Sequence, residues 1–342
     1  MLVNNYAITL SKAAMLMAAL LLTGCFSDKS QQVSLFSGRA LGTSYNVRFV
    51  GAASQVSSLQ KGTDRVLNAI NQSMSTYLPR SELSQLNENI GSDWIPISDD
   101  LSNVIQVSQY VSQLSNGAFD ITVGPLVDLW GFGPQGRREI VPDSKQLEAV
   151  FSQIGYESLL LSEDKTRIKK LAPRQLDLSA VAKGYAVDKI AEYLDLKGVD
   201  NYLVEVGGEM RLKGFKPNGD VWKIAIETPA AGARGVYKVI PITNVAIATS
   251  GDYRNYFEQE GVRYSHTLDP DTGYPITHNL ASVTVIADSC ATADAWATAL
   301  NVLGVQPALE LAEKHRLAIL LIENNGDEFI EHSSSAYKQL VN

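Results

Sequence analysis

The chain has only two cysteines, and their positions constrain how its 342 residues can fold. Cys25 closes an N-terminal apolar segment, which leaves Cys290 as the only thiol in the rest of the chain. A domain with a single thiol has no internal disulfide, so its stability must come from a large hydrophobic core. A chain of this length can bury such a core in one large domain or in two closely packed halves.

The first residues have the features of an export signal. The apolar stretch at residues 13–22 follows Lys12, is too short to span a bilayer, and ends at Leu22-Thr23-Gly24-Cys25. This tetrad resembles the bacterial lipobox, in which the cysteine is acylated and the preceding residues are removed. The alternative is a short buried helix that ends at Gly24. The expected organisation is a cleaved signal peptide at 1–24, a lipid-anchored polar tether at 25–35 and a folded domain at 36–342, outside the cytoplasm.

The composition is that of an ordinary soluble globular protein, with 45% hydrophobic and 19% charged residues. The net charge of −8 argues against nucleic-acid binding, because that affinity depends largely on clustered lysines and arginines. No basic stripe occurs in the sequence.

Helical and strand-like patterns alternate along the chain. Apolar residues at helical spacing predict core-facing helices over residues 66–77 and 99–111. Ser179 is expected to cap a helix that ends near Gly198, and Pro307 suits the first turn of another. Five segments have the length and β-branched content of strands: 202–206, 221–226, 236–240, 283–286 and 317–322. Residues 324–327 have the sequence of a hairpin turn. These patterns predict a single compact α+β unit with two lobes.

His266 is a candidate proton acceptor. It precedes the turn sequence at 269–273, in which Pro270 presets one backbone dihedral and Gly273 permits a positive one. Imidazole is the only side chain that titrates near neutrality without perturbation. The alternative is a histidine that makes a structural hydrogen bond.

Two further segments suit a metal ion or an anion. Asp294 and Thr298 are four residues apart on a predicted helix, so their oxygens share a face and suit Mg²⁺ or Ca²⁺, unless they form a solvated edge. The helix start at 176–185 carries Lys183 and would attract a phosphate group, unless it is only a capped helix with an exposed lysine.

Two glycine-containing segments suit a ligand with a planar ring. The Gly207-Gly208-Glu209 segment lets the backbone approach a ligand closely or simply turns the chain. Aromatic residues interleaved with glycine at 117–133 suit a flat ring, to which Asp120 could hydrogen-bond, or pack in the core. The chain lacks the G-x-G-x-x-G fingerprint and the phosphate loop, so any nucleotide site is built differently.

Taken in order, these segments resemble the ApbE family of bacterial FAD:protein FMN transferases. The resemblance covers nearly the whole mature chain and rests on nine motifs, at residues 41–45, 74–77, 81–84, 117–120, 176–184, 207–209, 249–253, 265–270 and 293–298. It implies a T-fold-like α+β unit with mixed or antiparallel sheets flanked by helices. It also implies a reaction in which the pyrophosphate of FAD is cleaved, FMN passes to a Thr or Ser hydroxyl of a partner protein, and AMP is released. The first motif often has Met where this chain has Leu41, a swap that a packing contact tolerates.

The resemblance implies roles for individual residues. His266 would take the proton of the acceptor hydroxyl, with His278 as a weaker alternative. The implied ligands of Mg²⁺ are the side chains of Asp294 and Thr298 and the main-chain oxygens of Ala180 and Ala297. The residues implied to line the FAD site are Leu41, Tyr77, Ala118, Phe119, Asp120, Asp177, Lys183 and Leu268.

The implied partner is a protein with a Thr/Ser flavinylation motif, such as a membrane redox subunit. Family likeness also implies a lipid-anchored enzyme on the periplasmic side of a bacterial membrane, with the inner membrane favoured. Two other functions stay open: a Mg²⁺-dependent FAD pyrophosphatase that yields FMN and AMP, and a non-catalytic flavin-binding lipoprotein. The chain lacks the Ser/Thr-Gly-Ala-Ser/Thr stretch of family acceptors, so it is not expected to carry covalent flavin itself.

Overall fold

The computed structural model describes residues 32–136, 139–230, 235–251, 255–326 and 328–341. The predicted signal peptide at 1–24 and the lipidation of Cys25 lie outside these residues, as does Asp327 of the predicted hairpin turn. The first strand begins at Val33, so the last three residues of the predicted tether belong to the fold. In the described part of the chain, no helix is both long enough and apolar enough to cross a bilayer.

Fifteen strands are present in the described residues. They are β1 (Val33–Ala40), β2 (Thr43–Val50), β3 (Ile95–Pro96), β4 (Leu159–Leu161), β5 (Arg167–Lys170), β6 (Tyr202–Val206), β7 (Glu209–Lys213), β8 (Trp222–Glu227), β9 (Val236–Ile242), β10 (Val245–Gly251), β11 (Tyr256–Gln259), β12 (Val262–Ser265), β13 (Leu280–Ala287), β14 (Ala318–Asn324) and β15 (Phe329–Ser333).

Eight of these strands form one antiparallel sheet, in the order β1-β2-β6-β7-β10-β13-β14-β15. Burial alternates along the edge strand β1, whereas seven of the eight residues of the inner strand β13 are buried. Both faces of the sheet are therefore covered near its centre. The smaller sheets are β3-β5-β4, β8-β9 and β11-β12.

Nine α-helices lie in the same described residues. They are α1 (Val56–Met74), α2 (Glu82–Glu88), α3 (Asp99–Leu114), α4 (Gly124–Leu129), α5 (Ser144–Phe151), α6 (Ala182–Leu196), α7 (Cys290–Leu303), α8 (Val305–His315) and α9 (Ser335–Val341).

Three hydrophobic cores hold these elements together. The largest lies between one face of the sheet and the helices α1, α3, α6, α7 and α8. The second lies on the opposite face, beneath the β8–β9 hairpin and α9. The third and smallest is centred on the buried Leu126 and Trp130, where α4 and α5 meet the β11–β12 hairpin. Cys290, at the start of α7, is buried and is a free thiol. The described residues are therefore held together by their hydrophobic cores and not by a disulfide at Cys290.

The α+β prediction is confirmed, and the strand predicted at 202–206 is found as β6 with the same bounds. Two local predictions were wrong. The helix predicted to reach Tyr77 ends at Met74, because Ser75 adopts an extended conformation, and Tyr77 lies 67% exposed in the loop beyond it. Ser179 does not cap α6, which begins only at Ala182. The main-chain N–H of Ser179 instead donates to Asp177 Oδ1 at 2.7 Å, in the turn before the helix.

Candidate functional site

A cavity of about 420 Å³ collects most of the residues predicted to act on a ligand. Its walls come from the start of α6, the middle of α7, the turns after β6 and β10, and the loop that follows β12. The residues from the prediction that line it are Tyr77, Ala118, Phe119, Asp120, Asp177, Ala180, Lys183, His266, Leu268, Asp294 and Thr298. Segments that are far apart in the sequence therefore share one cavity.

Of the predicted site residues that the structure describes, Leu41 and Ala297 are the two that are not among those lining the cavity. Leu41 and Gly42 connect β1 to β2, and both have positive φ, of 52° and 73°. A two-residue hairpin turn of the type I′ class requires positive φ at both positions, which is uncommon for leucine. The side chain of Leu41 packs against the largest core. Ala297 is fully buried in α7, directly before Thr298.

One wall of the cavity is formed where α6 and α7 cross. The N–H of Gly184 in α6 donates to Asp294 Oδ2 in α7 at 2.9 Å. A Cβ atom at position 184 would lie 2.3 Å from the carbonyl oxygen of Cys290, so only glycine permits this approach. The crossing therefore fixes Asp294, which is 5% exposed, beside the first turn of α6.

Lys183 joins two carboxylates at this crossing. Its Nζ donates to Glu209 Oε1 at 2.9 Å and lies 3.7 Å from Asp294 Oδ1. Burial disfavours the charged ammonium, but the carboxylates of Asp294 and Glu209 outweigh burial and raise the pKa of Lys183 above its ordinary value. The lysine is therefore positively charged at neutral pH, beside the space where a phosphate group would lie.

Glu209 has a place in this site that the sequence did not indicate. The turn between β6 and β7 has positive φ at Gly207 and Gly208, and it brings Glu209 into the cavity wall. Glu209 is 3% exposed, and its Oε2 atom is buried with no hydrogen-bond partner in the part of the chain that the structure describes. The only available signal was an acidic residue directly after two glycines at the start of a strand.

The same wall suits a divalent cation. Among the described residues of this wall, Asp294 and Glu209 carry two formal negative charges against the single positive charge of Lys183, and burial raises the pKa of both carboxyl groups. A cation would offset this excess, and carboxylate and hydroxyl oxygens, as on Asp294 and Thr298, are the ligands that Mg²⁺ prefers. No group of three or more His, Cys, Asp and Glu side chains in the described ranges could hold a metal ion, so further ligands would be hydroxyl or main-chain oxygens, water or the phosphate groups of a substrate.

The opposite wall carries His266. Its Nδ1 atom lies 3.0 Å from the main-chain oxygen of Asn255. A carbonyl oxygen can only accept, so Nδ1 must carry the proton and the neutral ring has its lone pair on Nε2. Burial lowers the pKa of His266, the Asn255 hydrogen bond opposes this effect, and Lys183 reinforces it. The ring is thus neutral and able to accept a proton. The sequence could not reveal Asn255, because it acts through its backbone.

The turn after His266 forms as predicted. The Gly273 N–H donates to the Asp269 main-chain oxygen at 2.8 Å, and the Asp269 carboxylate accepts from the N–H of Asp271 and the hydroxyl of Thr272. Gly273 has a φ of 74°. The fully buried Trp130 donates its indole N–H to the Gly273 oxygen at 2.8 Å, which ties the turn to the third core.

Asp120 lines the cavity, but its carboxylate is already engaged. Its Oδ1 accepts from the main-chain N–H and the hydroxyl of Thr122, both at 2.7 Å, and its Oδ2 accepts from the N–H of Tyr156 at 3.0 Å. Burial raises the pKa of Asp120, and these hydrogen bonds oppose that rise. The carboxylate therefore shapes this part of the wall, beside Phe119.

Comparisons with known proteins show which proteins this chain is similar to. Residues 41–321 match the ApbE family. The chain is 44% identical to the FAD:protein FMN transferase of Vibrio cholerae serotype O1, over 95% of this chain and 97% of the relative, and 36% identical to that of Escherichia coli, over 98% of both. The solved flavin transferase ApbE from Vibrio cholerae superposes with a TM-score of 0.84 at 41% identity, covering 91% of this chain and 99% of that one. The flavinyl transferase ApbE of Pseudomonas stutzeri superposes with a TM-score of 0.83 at 37% identity, covering 91% and 97%.

Proposed function

The chain belongs to the ApbE family, and we propose that it transfers the FMN half of FAD to a hydroxyl group of a partner protein. The observation that carries this proposal is the shared cavity, in which a neutral histidine faces a wall with a charged lysine and a buried acidic residue. Transfer of a phosphoryl-linked group to an alcohol requires these parts, because an alcohol is a weak nucleophile and a pyrophosphate is strongly negative.

The proposed step begins with a Thr or Ser hydroxyl of the acceptor. Its oxygen attacks the phosphorus on the flavin side of the pyrophosphate, the bond from that phosphorus to the bridging oxygen breaks, and AMP leaves. The hydroxyl proton passes to Nε2 of His266, the nitrogen left free by the hydrogen bond from Nδ1 to Asn255. The product is a phosphoester that joins FMN to the acceptor side chain.

The helix wall would hold the diphosphate. Lys183 keeps its positive charge and is available to the phosphate oxygens. Mg²⁺ fits the oxygen-rich wall and would be held by Asp294 and Thr298, with the main-chain oxygen of Ala180, whereas Ala297 does not line the cavity. When bound, such an ion neutralises negative charge on phosphate oxygens.

The flavin part of FAD suits the apolar end of the cavity. Tyr77, Phe119, Phe132 and Leu268 are the residues of the cavity lining to which we assign this role. Flat apolar side chains of this kind favour a planar ring system through stacking and desolvation. We assign the isoalloxazine ring to this end, so that the diphosphate reaches the helix wall.

We also propose that the chain is a lipoprotein on the periplasmic side of a bacterial membrane. The support is the Leu22-Thr23-Gly24-Cys25 tetrad after a short apolar segment. Acylation at Cys25 would keep the enzyme near membrane-bound acceptors, such as a redox subunit. Metabolic labelling with a radioactive fatty acid tests this proposal: wild-type chain should be labelled, whereas unlabelled wild-type chain, or a labelled Cys25→Ala variant, would contradict it.

The transfer proposal is tested by intact-mass analysis. Purified chain is incubated with FAD, Mg²⁺ and a redox subunit that carries a Ser/Thr-Gly-Ala-Ser/Thr motif. We expect the acceptor to gain the mass of FMN less one water, and AMP to appear. The matched control is the same acceptor with its motif hydroxyl residue changed to alanine, which should stay unmodified. AMP and FMN without an adduct would indicate a pyrophosphatase, and unchanged FAD would indicate simple binding. Covalent flavin on the denatured enzyme itself would contradict its role as a donor.

A further inference from the structure

Asp188 connects three elements behind the cavity. It lies in α6, one turn beyond Gly184, and is 7% exposed. Its Oδ1 accepts from the main-chain N–H of Cys290 at 3.0 Å and from the Arg211 guanidinium on β7. Its Oδ2 accepts from the N–H of Ala291 at 3.0 Å and from the hydroxyl of Ser289 at 2.9 Å. Asp188 is not among the residues that line the cavity.

The carboxylate of Asp188 caps α7 from a neighbouring helix. Cys290 and Ala291 are the first two residues of α7, and their N–H groups have no partner within the helix. A negative charge at a helix N-terminus is also favoured by the helix dipole. Arg211 forms an ion pair with Asp188 and balances its negative charge, so the buried carboxylate has both hydrogen-bond donors and a positive partner.

Two contacts therefore join α6 to α7. The first is the hydrogen bond from the Gly184 N–H to Asp294, and the second is the cap from Asp188 to residues 290 and 291. The contacts are one helical turn apart on α6 and about one turn apart on α7. Together with the Lys183–Asp294 ion pair and the packing of both helices in the largest core, two such contacts restrict the position of α7 along and around its axis more closely than one does. Asp294 and Thr298 lie on the helix that is fixed in this way.

We propose that Asp188 is a positioning residue, which holds α7 against α6 so that Asp294 and Thr298 keep the geometry required to bind a divalent cation. This inference rests on the proposed function, because it assumes that these two side chains hold the ion. Asp188 itself touches neither the ion nor FAD. Residues behind metal ligands commonly change metal affinity by about 10- to 100-fold when they are altered.

The alternative is that Asp188 only stabilises the fold, and the two roles differ in a measurable way. A purely stabilising residue would lower the unfolding temperature when it is changed but would leave the folded protein's affinity for the metal intact. A positioning residue would lower the metal affinity of protein that is still folded. Metal affinity in the absence of FAD is therefore the informative measurement.

The experiment compares Asp188→Asn with Asp195→Asn by calorimetric titration with MnCl₂, without FAD, at a temperature where circular dichroism shows both variants to be folded. Asp195 is the matched control, because it lies on the same helix and is ion-paired with Lys213, far from the start of α7. We expect Asp188→Asn to bind Mn²⁺ about tenfold more weakly than wild type, and Asp195→Asn to bind it within about twofold of wild type. Transfer by Asp188→Asn should recover as Mg²⁺ is raised.

Unchanged Mn²⁺ affinity in Asp188→Asn would overturn the inference, whatever happens to its unfolding temperature. If Asp188→Asn does not fold, Arg211→Gln is titrated instead, because this change removes the ion pair with Asp188 and leaves the main-chain donors in place. Arg211→Gln should bind Mn²⁺ about threefold more weakly than wild type. Unchanged affinity in this variant would overturn the inference. Wild-type protein that binds no Mn²⁺ would refute both this inference and the proposed metal site. FMN transfer by wild type, measured separately, shows whether the proposed function survives.

Discussion

The two walls of the cavity are built in different ways. The helix wall consists of α6 and α7, which cross at Gly184 within the largest core and present Lys183 and Asp294. The loop wall consists of the β11–β12 hairpin and the turn after it, which pack on the smallest core and present His266. The charged groups thus lie on long, buried elements, and the neutral base lies on a short hairpin.

The difference follows from the cost of burying charge. A buried charge is stable only with partners at fixed positions, and two packed helices, with Glu209 at the start of β7, provide such positions for Lys183 and Asp294. The neutral ring of His266 needs only one main-chain acceptor and apolar neighbours such as Phe132, whose ring centroid lies 6.4 Å away. We therefore expect changes in charge to act on the helix wall and changes in packing to act on the loop wall.

The largest effect is expected from Asp294→Ala. The variant loses the carboxylate proposed to hold the metal and leaves Lys183 with one partner fewer, so metal-dependent FMN transfer should fall to background. The measurement is intact-mass analysis of the acceptor over a range of Mg²⁺ concentrations. The matched control is Asp288→Ala, which removes an exposed carboxylate just before α7 and should retain full transfer. Mg²⁺-dependent transfer at the wild-type rate by Asp294→Ala would show that the helix wall has been assigned wrongly.

The next largest effect is expected from His266→Ala. Loss of a general base should lower the transfer rate by about 10²- to 10⁴-fold, while the dissociation constant for FAD stays close to that of wild type. Transfer is followed by mass spectrometry and FAD binding by flavin fluorescence. His278→Ala is the control, because His278 lines a separate cavity of about 210 Å³. A large loss in His278→Ala with little loss in His266→Ala would move the base to the other histidine.

The sequence predicted the helix wall well because its chemistry lies on one local pattern. Asp294 and Thr298 are four residues apart, and that spacing places them on the same face whatever the rest of the fold does. Lys183 was indicated by its place at a helix start, although the N-cap was placed two residues too early, at Ser179 instead of Val181. Side chains on regular helices can thus be predicted from spacing alone.

Three contributions could not be predicted because they depend on tertiary contacts. Asn255 acts through a main-chain oxygen, which no residue type marks. Glu209 gains its importance from Lys183 on α6, and Asp188 gains its importance from the start of α7, about one hundred residues later in the chain. Tyr77 illustrates the opposite error, since helical spacing predicted a core residue where the helix has already ended. Local patterns define elements, whereas only packing defines which elements meet.

The pH dependence of transfer should separate the two walls. Burial lowers the pKa of His266 below its ordinary value of 6.5, and only the neutral ring accepts a proton. The contribution of His266 to the rate should therefore be constant from neutral pH down to a midpoint below pH 6.5, and then fall about tenfold per pH unit. Rate against pH at saturating FAD and Mg²⁺ tests this. The slow residual transfer of His266→Ala should show a shallower acidic limb, because Glu209 and Asp294, whose pKa values burial raises, still protonate. A limb as steep in the variant as in wild type would contradict His266 as the base.

The smallest effect is expected from Trp130→Phe, which tests whether the loop wall depends on packing rather than charge. Phenylalanine keeps an aromatic ring beside Tyr264 but loses the indole N–H that donates to the Gly273 oxygen. An unpaired buried carbonyl should lower the free energy of unfolding by about 1–3 kcal/mol, measured by urea denaturation. We expect a loss of transfer of only a few fold, because the turn after His266 loosens, and an unchanged affinity for Mn²⁺, because α6 and α7 are untouched. If Trp130→Phe weakened Mn²⁺ binding as much as Asp188→Asn, the two walls would be one cooperative unit and their different construction would have no functional consequence.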